Sequence, residues 1–118
     1  MPRPVRSRRV CSEPKYSMFA PVGYRDRPVI KLTTDEYEVM RLVDLEKLTH
    51  GECAEHMDIS RTTVTEIYES AREKIADCIV NGNILVIEGG KYRICEGGPD
   101  GCGMCVRNAE DEEDNKNG

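Results

Sequence analysis

From Ser60 onward, apolar residues recur at Val64, Ile67, Tyr68, Ala71, Ile75, Cys78 and Ile79. Intervals of three and four residues, with adjacent pairs between them, keep these side chains on one face of a 3.6-residue helix. The stripe predicts a long helix that opens on Ser60 as N-cap and stops at Asn81-Gly82, where glycine accepts the left-handed conformation of a helix end. The rest of the fold must cover this stripe. With no Trp and one Phe in the chain, the cover must come from Ile, Val, Leu, Met and Tyr.

Two helices are expected upstream. Thr34 is placed to cap the first, whose opening Asp35-Glu36 suits the positive end of a helix dipole. Its apolar positions, Tyr37, Val39, Met40, Leu42, Val43, Leu45 and Leu48, form a broad stripe. Thr49 and Glu52 have the spacing of a capping box, and they open a short helix from about His50 to Met57 with Cys53, Ala54 and Met57 inward. Asp58-Ile59-Ser60 then reads as a tight turn, with Ile59 plugging inward. The turn's first residue needs a left-handed backbone that Asp58 adopts at some cost.

Outside the helices the period changes. Val29-Ile30-Lys31-Leu32 reads as a short strand. Ile84–Ile87 and Lys91–Ile94 flank Gly89-Gly90, the pattern of a β-hairpin. Residues 1–28 hold five of the six prolines, which exclude a long helix there. They read as an extended arm, docked in part through Tyr16, Met18 and Phe19. The formal net charge of −5 hides an uneven distribution. Residues 1–33 carry 8 basic and 2 acidic side chains, residues 34–94 carry 7 and 13, and residues 95–118 carry 2 and 7. An acidic body thus bears a basic arm and an acidic tail, a pattern typical of interaction arms. The division expected is a basic, proline-rich arm over 1–28, a folded domain over 29–94, a cysteine-rich loop over 95–105 and a disordered acidic tail over 106–118. No apolar run approaches the roughly 20 residues of a membrane span, and the basic N-terminus lacks the apolar stretch of a secretory signal.

The expected fold is therefore mainly α: a three-helix helix-turn-helix core with an extended N-terminal arm and a C-terminal β-hairpin, winged-helix-like. In a helix-turn-helix the second helix enters the major groove of duplex DNA. Its outward face here would be Arg61, Thr62, Thr63, Thr65 and Glu66, with Ser60 as cap and phosphate contact. Arg pairs with guanine, Thr with base edges or phosphates, and Glu with cytosine N4. The acidic body offers few phosphate contacts, so Arg3, Arg6, Arg8 and Arg9 of the arm are expected to supply them from an adjacent minor groove. The alternative is an ordinary pair of packed helices with a solvated tail.

The run from Leu48 to Gly82 resembles the helix-turn-helix of sigma factor region four. More closely, the chain resembles a family of small prokaryotic proteins known only as predicted DNA-binding proteins carrying that motif. The supporting pieces are MPRP followed by RRVC, Phe19-Ala20-Pro21-Val22-Gly23, Leu32–Glu38, Arg41-Leu42-Val43-Asp44 and Ile87-Glu88-Gly89-Gly90. The likeness covers residues 1 to about 94 and departs at Asp58, where the family usually has Gly. It implies DNA binding, without a target sequence or a physiological role; the role expected here is a transcriptional regulator in the cytoplasm. The alternative role is a protein-interaction module that docks RNA polymerase or another protein. A homodimer fits either role.

Of six cysteines, Cys53 and Cys78 lie on apolar helix faces and read as small buried hydrophobes. Cys102 and Cys105 form a C-x2-C knuckle, with Cys95 seven residues earlier and Cys11 behind the basic arm. Cys11, Cys95, Cys102 and Cys105 are a full ligand set for structural zinc, with an iron–sulfur cluster as the alternative. Redox-active or unligated thiols are the competing readings. His50 and His56 read as surface or half-buried helix residues rather than ligands. The sequence shows no phosphate loop, no H-E-x-x-H and no nucleophile elbow, and the expectation is a protein that is not an enzyme.

Overall fold

The computed structural model describes residues 8–95. Expectations for Arg3, Arg6, Cys102, Cys105 and the acidic tail lie outside these residues. Three helices and short strands make the fold, in the order β1 (Arg8–Val10), β2 (Met18–Phe19), β3 (Val29–Leu32), α1 (Thr34–Met40), α2 (His50–Met57), α3 (Arg61–Asn81), β4 (Ile84–Ile87) and β5 (Tyr92–Ile94). A five-residue π-helical segment, Arg41–Leu45, extends α1.

The helix starts follow local chemistry. Thr33, one residue before the expected cap, accepts from the Glu36 N–H, and the Glu36 carboxylate answers on the Thr33 N–H. Thr49 and Glu52 close the same reciprocal box on α2. Ser60 caps α3 by accepting from the Thr63 N–H at 3.1 Å. Asp58 ends α2 in the left-handed region at φ 62° and ψ 45°, and Gly82 ends α3 likewise at φ 67°. Each satisfies backbone groups that a helix end leaves unpaired.

The core has two parts, both resting on α3. Val10, Val39, Leu42, Cys53, Ala54, Met57 and Val64 form one, against Ile59, Ile67 and Tyr68. Leu32, Ala71, Cys78, Leu85 and Ile87 form the other, against Tyr37, Met40 and Ile75. The helical stripe runs beyond its cover, and Ile79 is exposed.

The expected hairpin over residues 84–94 does not form. β4 is instead the central strand of a three-stranded sheet, antiparallel to β2 and parallel to β3. β5 pairs in parallel with β1, Arg8 opposite Tyr92 and Val10 opposite Ile94. Gly89 and Gly90 do have positive φ, as a hairpin turn would require. Their reason is different: a Cβ on Gly90 would lie 2.6 Å from Asp35 Oδ1 and 2.9 Å from Thr33 Cβ. The chain crosses the start of α1 there, and Thr34 N–H donates to Gly89 O at 3.0 Å. The apolar run Ile84–Ile87 then finds better cover between two other strands than beside the half-polar β5. A hairpin wing is thus absent from the described residues.

Residues 8–19 dock through the pairing of β1 and β2 rather than through Tyr16, Met18 and Phe19, whose side chains stay exposed. Val10 is fully buried in the helical core, and its burial draws Arg8 and Arg9 onto the body. No helix among the described residues is long and apolar enough to cross a membrane.

Candidate functional site

The start of α3 presents a polar face. Ser60, Arg61, Thr62 and Glu66 are exposed. Thr63 and Thr65 are half-buried, and their hydroxyls have partners within the fold. Thr63 Oγ1 lies 2.8 Å from Ser60 Oγ. Thr65 Oγ1 donates to Arg61 O at 3.3 Å and stands 2.9 Å from His50 Nδ1. The outward set is therefore narrower than the sequence predicts, with Thr65 turned toward α2.

The turn in front of this face is held from β1 and β5. Arg9 donates from Nε to His56 O at 2.6 Å and from Nη2 to Glu55 O at 3.1 Å, covering the last carbonyls of α2. A cation suits that end of a helix. Arg93 donates from Nη2 to Asp58 Oδ2 at 2.9 Å, across the left-handed residue itself. Arg8 is half-buried, its Nε 3.7 Å from Asp35 Oδ2. Arg8 and Arg9, expected to reach into a minor groove, thus belong to the body. The physical reason is the burial of Val10 and the pairing of β1 with β5.

A second cluster lies behind this clamp. Cys11 Sγ is 3.2 Å from His56 Nε2, and the donor atoms of Cys11, Glu38 and His56 all lie within 4.8 Å of one another. Cys11 and Glu38 are buried and His56 is half-buried. The Glu38 carboxylate is largely spoken for. It accepts from Arg41 Nε and Nη2, each at 2.9 Å, and from the Cys11 N–H at 2.9 Å. Burial lowers the His56 pKa, against the pull of Glu38, which favours the imidazolium.

The other cysteines divide by environment. Burial pushes the Cys53 thiol up to about 12, with Glu38 adding to it. Cys53 is a core residue beside Met57 Sδ at 3.8 Å, and Cys78 is buried in the second half of the core. Cys95 leaves β5 beside Cys11, and its N–H donates to Val10 O at 2.7 Å. Of the four cysteines expected as ligands, the structure brings Cys11 and Cys95 to adjacent strand ends. Cys102 and Cys105 are outside the described residues. In the sequence His56 reads as an ordinary helix residue. The one signal for it is position, about 60° around the helix from buried Cys53.

A further surface feature is an open groove of about 1130 Å³. Its walls include Tyr16, Phe19, Leu45, Ile75 and Ile79. Leu45 and Ile79 each expose 76% of their surface.

Residues 1–95 match the family described as "Protein of unknown function DUF134". A UPF0251 protein of Desulfitobacterium hafniense (strain Y51) is 50% identical over 106 residues, covering 88% of this chain and 85% of its own. One from Thermoanaerobacter sp. (strain X514) is 47% identical over 98 residues, covering 81% and 87%. One from Desulfosudis oleivorans is 44% identical over 111 residues, covering 89% and 79%. No solved structure matches the chain. A match through β1, the three helices and β5, with relatives this similar over most of both lengths, makes the chain a member of the DUF134 family, whose relatives carry the name UPF0251.

Proposed function

We propose that this protein is a sequence-specific DNA-binding regulator that uses α2, its turn and α3 as a helix-turn-helix. The observation that carries the reading is the exposed set Ser60, Arg61, Thr62 and Glu66 at the start of α3, directly after a left-handed turn. In this role Arg61 pairs with a base edge, and Ser60 and Thr62 contact phosphate. The turn is fixed by Arg9 and Arg93, so the face is presented without a large ordering cost. Because residues 34–94 are net acidic, binding rests on recognition more than on counterion release.

The test is a gel shift on fragmented genomic DNA, followed by sequencing of the retained fragments. A discrete set of sites is expected. On those sites Arg61→Ala should lose about 1–3 kcal/mol while unselected DNA is unaffected. Equal loss on all DNA reassigns Arg61 to phosphate. No retardation at micromolar protein rejects the function. A second reading, docking of RNA polymerase or another protein, is favoured by the apolar groove beside Leu45 and Ile79. Binding of purified core polymerase that Leu45→Asp abolishes, with no retained DNA, would replace the first reading by the second.

A further inference from the structure

We propose that the open groove beside the end of α3 is the surface on which two copies of this chain pair about a two-fold axis. The proposal stands apart from DNA binding and needs none of it. The groove exists because two apolar stripes outrun their cover. In α3 the stripe passes from Ile75, packed on the second part of the core, to Ile79, with Val80 beside it 79% exposed. In the π-helical segment the Glu46 N–H donates to Arg41 O, five residues back. A turn of that kind rotates the chain less per residue than an α turn, so Leu45 is carried away from buried Leu42 and stands in solvent. Such turns are frequent at functional sites. Phe19 enters from β2, opposite Leu85 in register, and Tyr16 from the segment before it.

The exposed area is what a dimer requires. Tyr16, Phe19, Leu45 and Ile79 are 73%, 52%, 76% and 76% exposed, and all four line the groove. Side chains of this size present roughly 150–200 Å² each, so together they leave about 500 Å² of apolar surface in one place. That is at the upper end of what a monomer gathers in a single patch. It also matches the apolar share, about two-thirds, of the roughly 800 Å² that each partner of a stable dimer buries. An isologous contact needs one surface that supplies both ridge and groove. Ile79 and Val80, on the last turns of α3, are the ridge, and the groove runs beside them.

Other occupants fit less well. Outside the described residues, segments 1–7 and 96–118 offer Met1, Val5, Met104 and Val106 as their only large apolar side chains, too few to fill the space. At about 1130 Å³ the open groove exceeds the pockets of about 300–1,000 Å³ that enclose small ligands. Lys15 lines it together with Glu13 and Asp44. A rim of both signs lets a two-fold copy set unlike charges together, whereas its acidic balance repels a nucleic acid. Ile79 lies 18 residues beyond Arg61 in α3, about 27 Å along the helix. Pairing at this end therefore leaves the start of α3 open in both copies.

Sedimentation equilibrium on the full chain, kept reduced, tests the pairing. A particle of twice the 13.3 kDa chain mass is expected, with a dissociation constant in the micromolar range or tighter. Leu45→Asp and Ile79→Lys should each raise that constant about 30-fold or more. Far-ultraviolet circular dichroism should stay unchanged, since both side chains are already mostly in solvent. Val22→Asp, at a side chain 95% exposed and outside the groove, should leave the dimer intact. Hydrogen exchange of the unmodified chain needs no variant: protection should rise with concentration over residues 41–45 and 75–82 and stay constant at the start of α3. A chain still monomeric at tens of micromolar overturns the proposal, as does a dimer that neither groove substitution weakens or that Val22→Asp weakens equally. A monomer that binds core RNA polymerase through Leu45 overturns it too and assigns the groove to that partner.

Discussion

The turn between α2 and α3 and the ladder that holds it are built on opposite principles. Within α2 and α3 each fixing contact spans a few residues: Thr49 with Glu52, Ser60 with Thr63, Asp58 N–H with Ala54 O. The ladder instead pairs Arg8 with Tyr92 and sends Arg9 to the end of α2 and Arg93 to Asp58. Short-range contacts cost little closure entropy and form early; long-range ones carry a larger closure cost and depend on everything between. The comparison teaches that the same turn has a local shape and a remote fastening, and that the two should fail separately.

The largest expected effect is on the fastening. Glu38 is fully buried, pairs with Arg41 and holds the Cys11 N–H. Glu38→Gln leaves the buried Arg41 guanidinium with Glu46 alone, 3.5 Å from its Nη1, and should cost about 3 kcal/mol in urea unfolding. A loss below about 1 kcal/mol would show that this pair does not seat β1. Next comes Gly90→Ala, which forces a Cβ against Asp35 and Thr33 at φ 89°. It should cost about 2–3 kcal/mol, and a neutral result would mean that the crossing over α1 has room to yield.

An intermediate effect should appear with acid. Glu36 joins α1 to α3 by accepting from Lys74 Nζ at 2.7 Å and Ser70 Oγ at 2.6 Å. Burial opposes its ionisation, but these bonds, the Thr33 N–H and the Lys74 charge outweigh it, holding the carboxyl below its ordinary 4.5. A folded-state value below the unfolded one adds stability that is present above about pH 4.5 and lost as pH falls through the folded value. The contribution is about 1–2 kcal/mol. Glu36→Gln should therefore be less stable at pH 7 and should lose less on acidification to pH 3. An equally steep decline in both proteins would remove Glu36 as its source. The smallest effect is local: Ser60→Ala should cost about 1 kcal/mol. Hydrogen exchange should then rise at the first turn of α3 while β1 stays protected; loss of protection in both would dissolve the distinction.

The same contrast explains what could be read from the residues alone. The Thr49–Glu52 box, the Ser60 cap, the left-handed Asp58 and the Gly82 stop were legible because each is a rule about neighbours three or four apart. The strands β3, β4 and β5 were legible; β1 and β2, read only as extended arm, were not, and neither were the strand partners. Gly89-Gly90 reads as a hairpin because a turn and a close backbone crossing ask for the same residue. Arg8-Arg9-Val10 reads as part of a basic, DNA-contacting arm because charge dominates the run, while one valine decides its place. Cys11 and His56 are 45 residues apart and meet only through the ladder, so no spacing rule could bring them together.

The parallel ladder also orders events during synthesis. β1 leaves the ribosome first and has no partner strand until Tyr92–Ile94 has followed. α2 and α3 can wind as they emerge, yet Val10 must wait outside a core whose other members lie ahead of it in the chain. A chain cut short before β5 would hold two capped helices and an unfastened turn, with a valine and two arginines unplaced. The strand that is made first is locked last, and a fixed α2–α3 turn certifies that the chain has been made through Ile94.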